Sequence, residues 1–72
     1  MLSPDASAVA ARLLHESLTA TELQTALSLD ATRVAAALGE ALAAGAIMVA
    51  GMSSEFRPLD VGQADEPMYI PV

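Results

Sequence analysis

The sequence predicts a mostly α-helical α+β domain: three helices, then a short two-stranded hairpin and a C-terminal tail. Three observations predict it. Apolar residues recur at three- and four-residue spacing in three separate stretches before Gly45. Each of those stretches opens on a residue suited to capping a helix. Beyond Gly45 the pattern changes to a compact β-prone run, Ala46 to Ala50, followed by turn-forming residues.

Ser3-Pro4-Asp5 supplies a capping hydroxyl, a proline at the first helical position and an acid in the first turn. Helix 1 is expected from Pro4 to about Glu16, with Ala6, Val9, Ala10, Leu13 and Leu14 forming its buried stripe. Thr19-Ala20-Thr21-Glu22 matches a capping box, in which hydroxyl and carboxylate each satisfy an orphan amide. Helix 2 then spans Ala20 to Leu27, with Leu23, Ala26 and Leu27 inward. Ser28 and Leu29 make a turn of helix-turn-helix length, Leu29 plugs the core, and Asp30 caps helix 3. Within helix 3, Val34, Leu38 and Leu42 fall on one line flanked by Ala37 and Ala41, and Gly45 ends the helix.

Ala46-Ile47-Met48-Val49-Ala50 reads as the outgoing strand, Gly51-Met52-Ser53-Ser54 as the turn, and Glu55-Phe56-Arg57 as the return strand before Pro58. Met48 is either part of the core or, with Met52, part of an adaptable contact surface. The domain is therefore placed at residues 1–59, with 60–72 as a C-terminal tail. Met68-Tyr69-Ile70 makes that tail too apolar for a solvated linker, and it either folds back over helix 1 or docks on a partner or a second copy.

Composition narrows the function. The 72 residues make one domain, with a hydrophobic fraction of 54% that is rich in alanine, one Tyr, one Phe and no Trp. With no cysteine there are no disulfides, thiolate metal sites or thiol nucleophiles, and a reducing, cytoplasmic location is expected. No uncharged run approaches the ~20 apolar residues that a membrane helix needs. Nine acids against three basic residues give a net charge of −6. Lysine is absent, so the cations are Arg12, Arg33 and Arg57, and a face that gathers phosphates is hard to build from them.

The stretch from Leu18 to Ile47, with its Thr-capped helix, Ser28-Leu29 turn and Leu42-x-x-Gly45 ending before an apolar strand, resembles the bacterial winged helix-turn-helix superfamily. The resemblance covers roughly residues 1–59. It implies that helix 3 is a recognition helix for the major groove and that the hairpin touches the DNA backbone. Carried over by position, Ala31, Thr32, Arg33 and Ala36 occupy the groove and Arg57 reaches phosphate. Base reading calls for Arg, Asn, Gln or Lys on that face, and only Arg33 meets the requirement. The outward side of helix 3 instead presents Thr32, Ala36, Gly39 and Ala43, a smooth strip on which another backbone packs closely. Gly39 costs about 0.8–1 kcal/mol of helix stability relative to Ala, which invites a packing reason.

Alternatives stand for each charged candidate. Arg33 either meets nucleic acid or pairs with Asp30 one helical turn away. Arg57 is either a wing contact or a charge that blunts an exposed strand. His15, the only histidine, has no nitrogen or sulfur companions for a metal and no Ser or Asp constellation for catalysis, and the carboxylates are scattered. No catalytic residue, metal ligand, cofactor or small-molecule substrate is assigned. The leading expectation is a non-enzymatic, acidic protein-interaction module, an adaptor or subunit of a DNA-associated assembly, or a homodimer. Its contacts would be Thr32, Ala36, Gly39, Ala43, Met52, Phe56, Met68, Tyr69 and Ile70. The alternative is a dimeric DNA-binding transcriptional regulator.

Overall fold

The computed structural model describes residues 1–72. Its elements are α1 (Pro4–Leu13), α2 (Ala20–Leu27), α3 (Ala31–Ala43), β1 (Ile47–Met52), a single 3-10 turn (Ser53–Glu55) and β2 (Pro67–Pro71). Three helices pack beside one antiparallel two-stranded sheet, a mixed α+β arrangement.

Local caps set the helix starts. The Ser3 hydroxyl accepts the Ala6 amide at 3.2 Å with Pro4 at the first position of α1. At α2 both halves of the capping box form: the Glu22 amide donates to the Thr19 hydroxyl at 3.3 Å, and the Thr19 amide donates to the Glu22 carboxylate at 2.9 Å. Asp30 accepts the Arg33 amide at 2.8 Å and starts α3. The turn between α2 and α3 is made by Ser28 in the left-handed region (φ 55°), which lets the Leu29 amide reach the Gln24 carbonyl at 3.0 Å. Gly45, at φ 72°, ends α3 in the same manner: its own amide bonds Leu42 and the next, Ala46, bonds Ala41.

α1 ends at Leu13, about one turn short of the expected Glu16, and Leu14 is exposed rather than part of the stripe. Ala6, Val9 and Leu13 define the inward line, and Leu14 lies about 140° around the axis from Val9. In α2, Leu23 is fully buried while Ala26 is exposed, because its methyl group is too short to reach the core from the edge of the face. In α3 the buried residues are Val34, Ala37, Leu38 and Ala41, whereas Leu42 is 38% exposed. The face is centred on the two alanines, whose small side chains allow the close packing of α1 on α3. Leu29 packs against the core, as expected of the turn.

The largest correction concerns the return strand. Glu55-Phe56-Arg57 is not a strand: β1 continues through Met52, Ser53–Glu55 turn in the 3-10 conformation, and Pro67–Pro71 pairs with β1. The register places Ile47 opposite Pro71, Met48 opposite Ile70 and Val49 opposite Tyr69, then shifts so that Gly51 faces Met68. Met68-Tyr69-Ile70 wins because each neighbour has a use. Tyr69 packs on the helical core and donates its amide to the Leu18 carbonyl at 2.9 Å, so β2 lies between β1 and Leu18. Met68, on the opposite face by the period-two rule, is 2% exposed. Glu55-Phe56-Arg57 has one apolar side chain to offer. Of the two places open to Met48, the core is ruled out: it is half exposed, and its neighbour Ile47 joins the core.

The bulge after Val49 has a requirement of its own. Gly51 sits at φ 155°, and a Cβ there would run into the Glu55 carboxylate, whose Oε2 accepts the Met52 amide at 2.9 Å. The Phe56 ring lies just beyond. Glycine is the residue that lets the turn fold back over the end of β1.

Candidate interaction surface

The three arginines decide what the surface offers. Arg33, on the first turn of α3, forms a bidentate pair with Asp5 on the first turn of α1: Nε to Oδ2 at 2.9 Å and Nη2 to Oδ1 at 2.7 Å. Asp30 is not its partner, since that carboxylate is occupied in capping α3. Arg57 reaches across to α2, where its buried Nη2 meets the Glu22 carboxylate. It therefore does not point outward from a strand, and its partner is Glu22. Arg12 alone is left without a carboxylate partner, exposed on α1.

The loop between β1 and β2 is closed by a polar clasp that sequence reading did not find. Ser53, fully buried, donates its hydroxyl to Asp65 at 3.1 Å and accepts the Glu66 amide at 3.1 Å, while its own amide bonds the Glu66 carbonyl at 2.7 Å. Ser54 adds its amide and hydroxyl to the same Asp65 carboxylate, at 2.9 and 2.8 Å. The Thr21 hydroxyl then ties α2 to the Glu66 carboxylate. A Ser-Ser pair after an apolar run, answered by an acid at the foot of a second apolar run, was the one available signal.

These contacts set the titration behaviour. The Arg33 hydrogen bond holds Asp5 below its ordinary value, and Asp5 in turn raises Arg33. Burial pushes Glu22 up, but hydrogen bonds from the Thr19 amide and from Arg57 outweigh it and leave the carboxyl lowered. The amide and hydroxyl of Ser54 lower Asp65. Unfolded, these groups titrate near 3.8 for Asp and 4.5 for Glu. Each therefore contributes stability above those values and loses it as pH falls through the lowered folded pKa. The thermal midpoint is expected to stay level down to about pH 5 and to drop below that, and Asp65→Asn should flatten the drop while lowering the plateau. An acid limb identical in wild type and Asp65→Asn, followed by circular dichroism melts, would contradict this.

The outer face of α3 is open. Ala31, Thr32, Ala36, Gly39 and Ala43 are all exposed, and a Cβ added at Gly39 would meet nothing within 4 Å. No close approach inside the chain explains that glycine. Met52 and Phe56 are exposed at the end of β1 and the turn after it, at 37% and 53%. Of the expected contacts in the last strand, Met68 is buried, and Tyr69 and Ile70 are half-buried as members of β2. The remaining candidates form two sets, one along α3 and one at the β1 turn.

Elsewhere the surface is plain. A shallow depression lined by Met1, Leu2, Ser3, Glu40 and Ala44 has Glu40 as its one charged side chain, and that carboxylate already accepts the Ser3 amide. His15 is exposed, and no three His, Asp or Glu side chains are grouped to hold a metal ion. No helix is long and apolar enough to cross a membrane. Comparisons with protein-family models, with curated proteins and with solved structures give no match.

Proposed function

We propose that the chain is a winged helix domain whose role is to dock on protein: a non-enzymatic, acidic adaptor or subunit of a DNA-associated assembly. The winged helix reading is supported by the order of elements, α1, the Leu18 bridge, α2, α3, then β1 and β2 closing beside Leu18. The observation that carries the functional reading is the engagement of two of three arginines by carboxylates of the same chain. Arg33 and Arg57 are the two side chains that the DNA-binding alternative assigns to base and phosphate. With both neutralised, one copy presents Arg12 against a net charge of −6, and two copies in a dimeric regulator present two such residues.

What α3 does present is a row of small, uncharged, exposed residues where a partner helix or strand can approach closely. Ala36→Glu is expected to abolish binding of a partner that uses this face while leaving the thermal midpoint nearly unchanged, since the site is exposed and a helix tolerates glutamate well. A partner bound equally by wild type and variant, compared by calorimetry, would remove α3 from the interface.

A further inference from the structure

β1 is an edge strand without the usual protections. In a two-stranded sheet with Leu18 on the far side of β2, one edge of β1 has no neighbour. The direction of its groups follows from the ladder. Tyr69 donates its amide to Leu18, away from β1, so Val49 opposite it turns its own amide and carbonyl away from β2. Pro71, two residues on, has the same orientation and needs no donor toward β1, which is why proline is accepted there. Met52 opposite Pro67 also turns outward, and its amide is taken by Glu55. Ile47 and Val49 are left with outward pairs of backbone groups, and the Val49 side chain is 44% exposed, beside Met48 at 46%.

Edge strands are ordinarily guarded by lysine, proline or inward charge, and Ile47-Met48-Val49-Ala50-Gly51-Met52 contains none of these. The bulge at Ala50 and the Glu55 carboxylate interrupt the far end, which leaves Ile47 to Val49 as the regular part of the edge. We propose that the Ile47–Val49 edge of β1 receives an extended segment of a basic partner protein by strand addition, with Glu55 beyond the bulge as the local counter-charge. Strand addition draws affinity from main-chain hydrogen bonds and selectivity from alternate side chains. Charge selects the occupant: a second copy would bring −6 against −6, whereas a strand carrying Lys or Arg is attracted to a chain of net charge −6. The proposal rests on the protein-docking reading and adds a second, separate face to it.

The test is a titration of the full chain, labelled with nitrogen-15, with a short capped peptide alternating lysine and valine, and with its glutamate-valine counterpart. The lysine peptide is expected to shift the amide resonances of Ile47 to Val49, to slow exchange at Val49, and to bind more weakly as salt is raised. The glutamate peptide is expected to do none of this. Val49→Pro removes the outward donor without touching the β1–β2 ladder and should abolish the response. Val49→Lys, which keeps the backbone intact, should weaken it by at least about tenfold through like charge. Equal response to both peptides, no response to either, or a dimer in which Val49 is protected without peptide would overturn the proposal. Ala36→Glu in the same titration should behave as wild type, so failure at the edge is distinguishable from failure of the α3 face.

Discussion

A chain ended after Leu59 is expected not to fold. Such a truncation removes β2, and with it the Tyr69 bond to Leu18, the cover that Tyr69 gives the helical core, the buried Met68 and the Asp65 clasp on Ser53 and Ser54. Burying a side chain the size of methionine stabilises by about 1.5–3 kcal/mol, and Tyr69 adds a partial share. A domain of 72 residues has roughly 4–11 kcal/mol in total. The loss also leaves Ser53, fully buried in the intact chain, without its acceptor. Circular dichroism and a thermal melt of residues 1–59 should show reduced helix and no cooperative transition. A cooperative melt near the midpoint of the full chain would show that the β1–β2 pairing is dispensable.

Leu23→Ala is the second large effect. Leu23 is wholly buried on α2 within a cluster that includes Val9, Leu13, Val34, Leu38 and Ile47. Large-to-small changes at such sites cost about 2–5 kcal/mol, a major part of what a chain this small has. The midpoint of urea unfolding is expected to fall sharply or the transition to be lost in water. Leu14→Ala is the matched control: Leu14 is 71% exposed past the end of α1, and the change should stay within about 0.5 kcal/mol. Similar losses from both would mean that the two leucines have been placed in the wrong environments.

The helices were legible because their boundaries are local. Thr19 and Glu22 lie three residues apart and cap α2 without help from the rest of the chain, as Asp30 does for α3 and Gly45 for its end. The strands were only half legible. Glu55-Phe56-Arg57 alternates and Met68-Tyr69-Ile70 is a short apolar run, either of which can pair with β1, and short loops favour the nearer one. The choice between them is made by Leu18, Ser53 and Thr21, partners that lie 13 to 51 positions away.

The arginine contacts show the same division. Asp30 stands near Arg33 in sequence, but its carboxylate is the cap, and the bidentate partner is Asp5, 28 positions distant. That contact exists because α1 packs on α3 with their first turns side by side. The candidate face on α3 was readable from helical spacing, since exposure there follows from what is buried opposite. Met68 is buried because its apolar character serves the fold, while Tyr69 and Ile70 are half-buried as members of β2.

The measurement that bears most directly on the central claim is a fluorescence anisotropy titration of labelled random duplex DNA with the 72-residue chain, at low and at moderate salt, with the solution mass taken from the same preparation. With Arg33 held by Asp5 and Arg57 by Glu22, no saturable binding is expected even at low salt. Saturable binding that weakens as salt is raised, by a dimer, would mean that these arginines leave their carboxylates for phosphate, and the protein-docking reading would give way to the DNA-binding one.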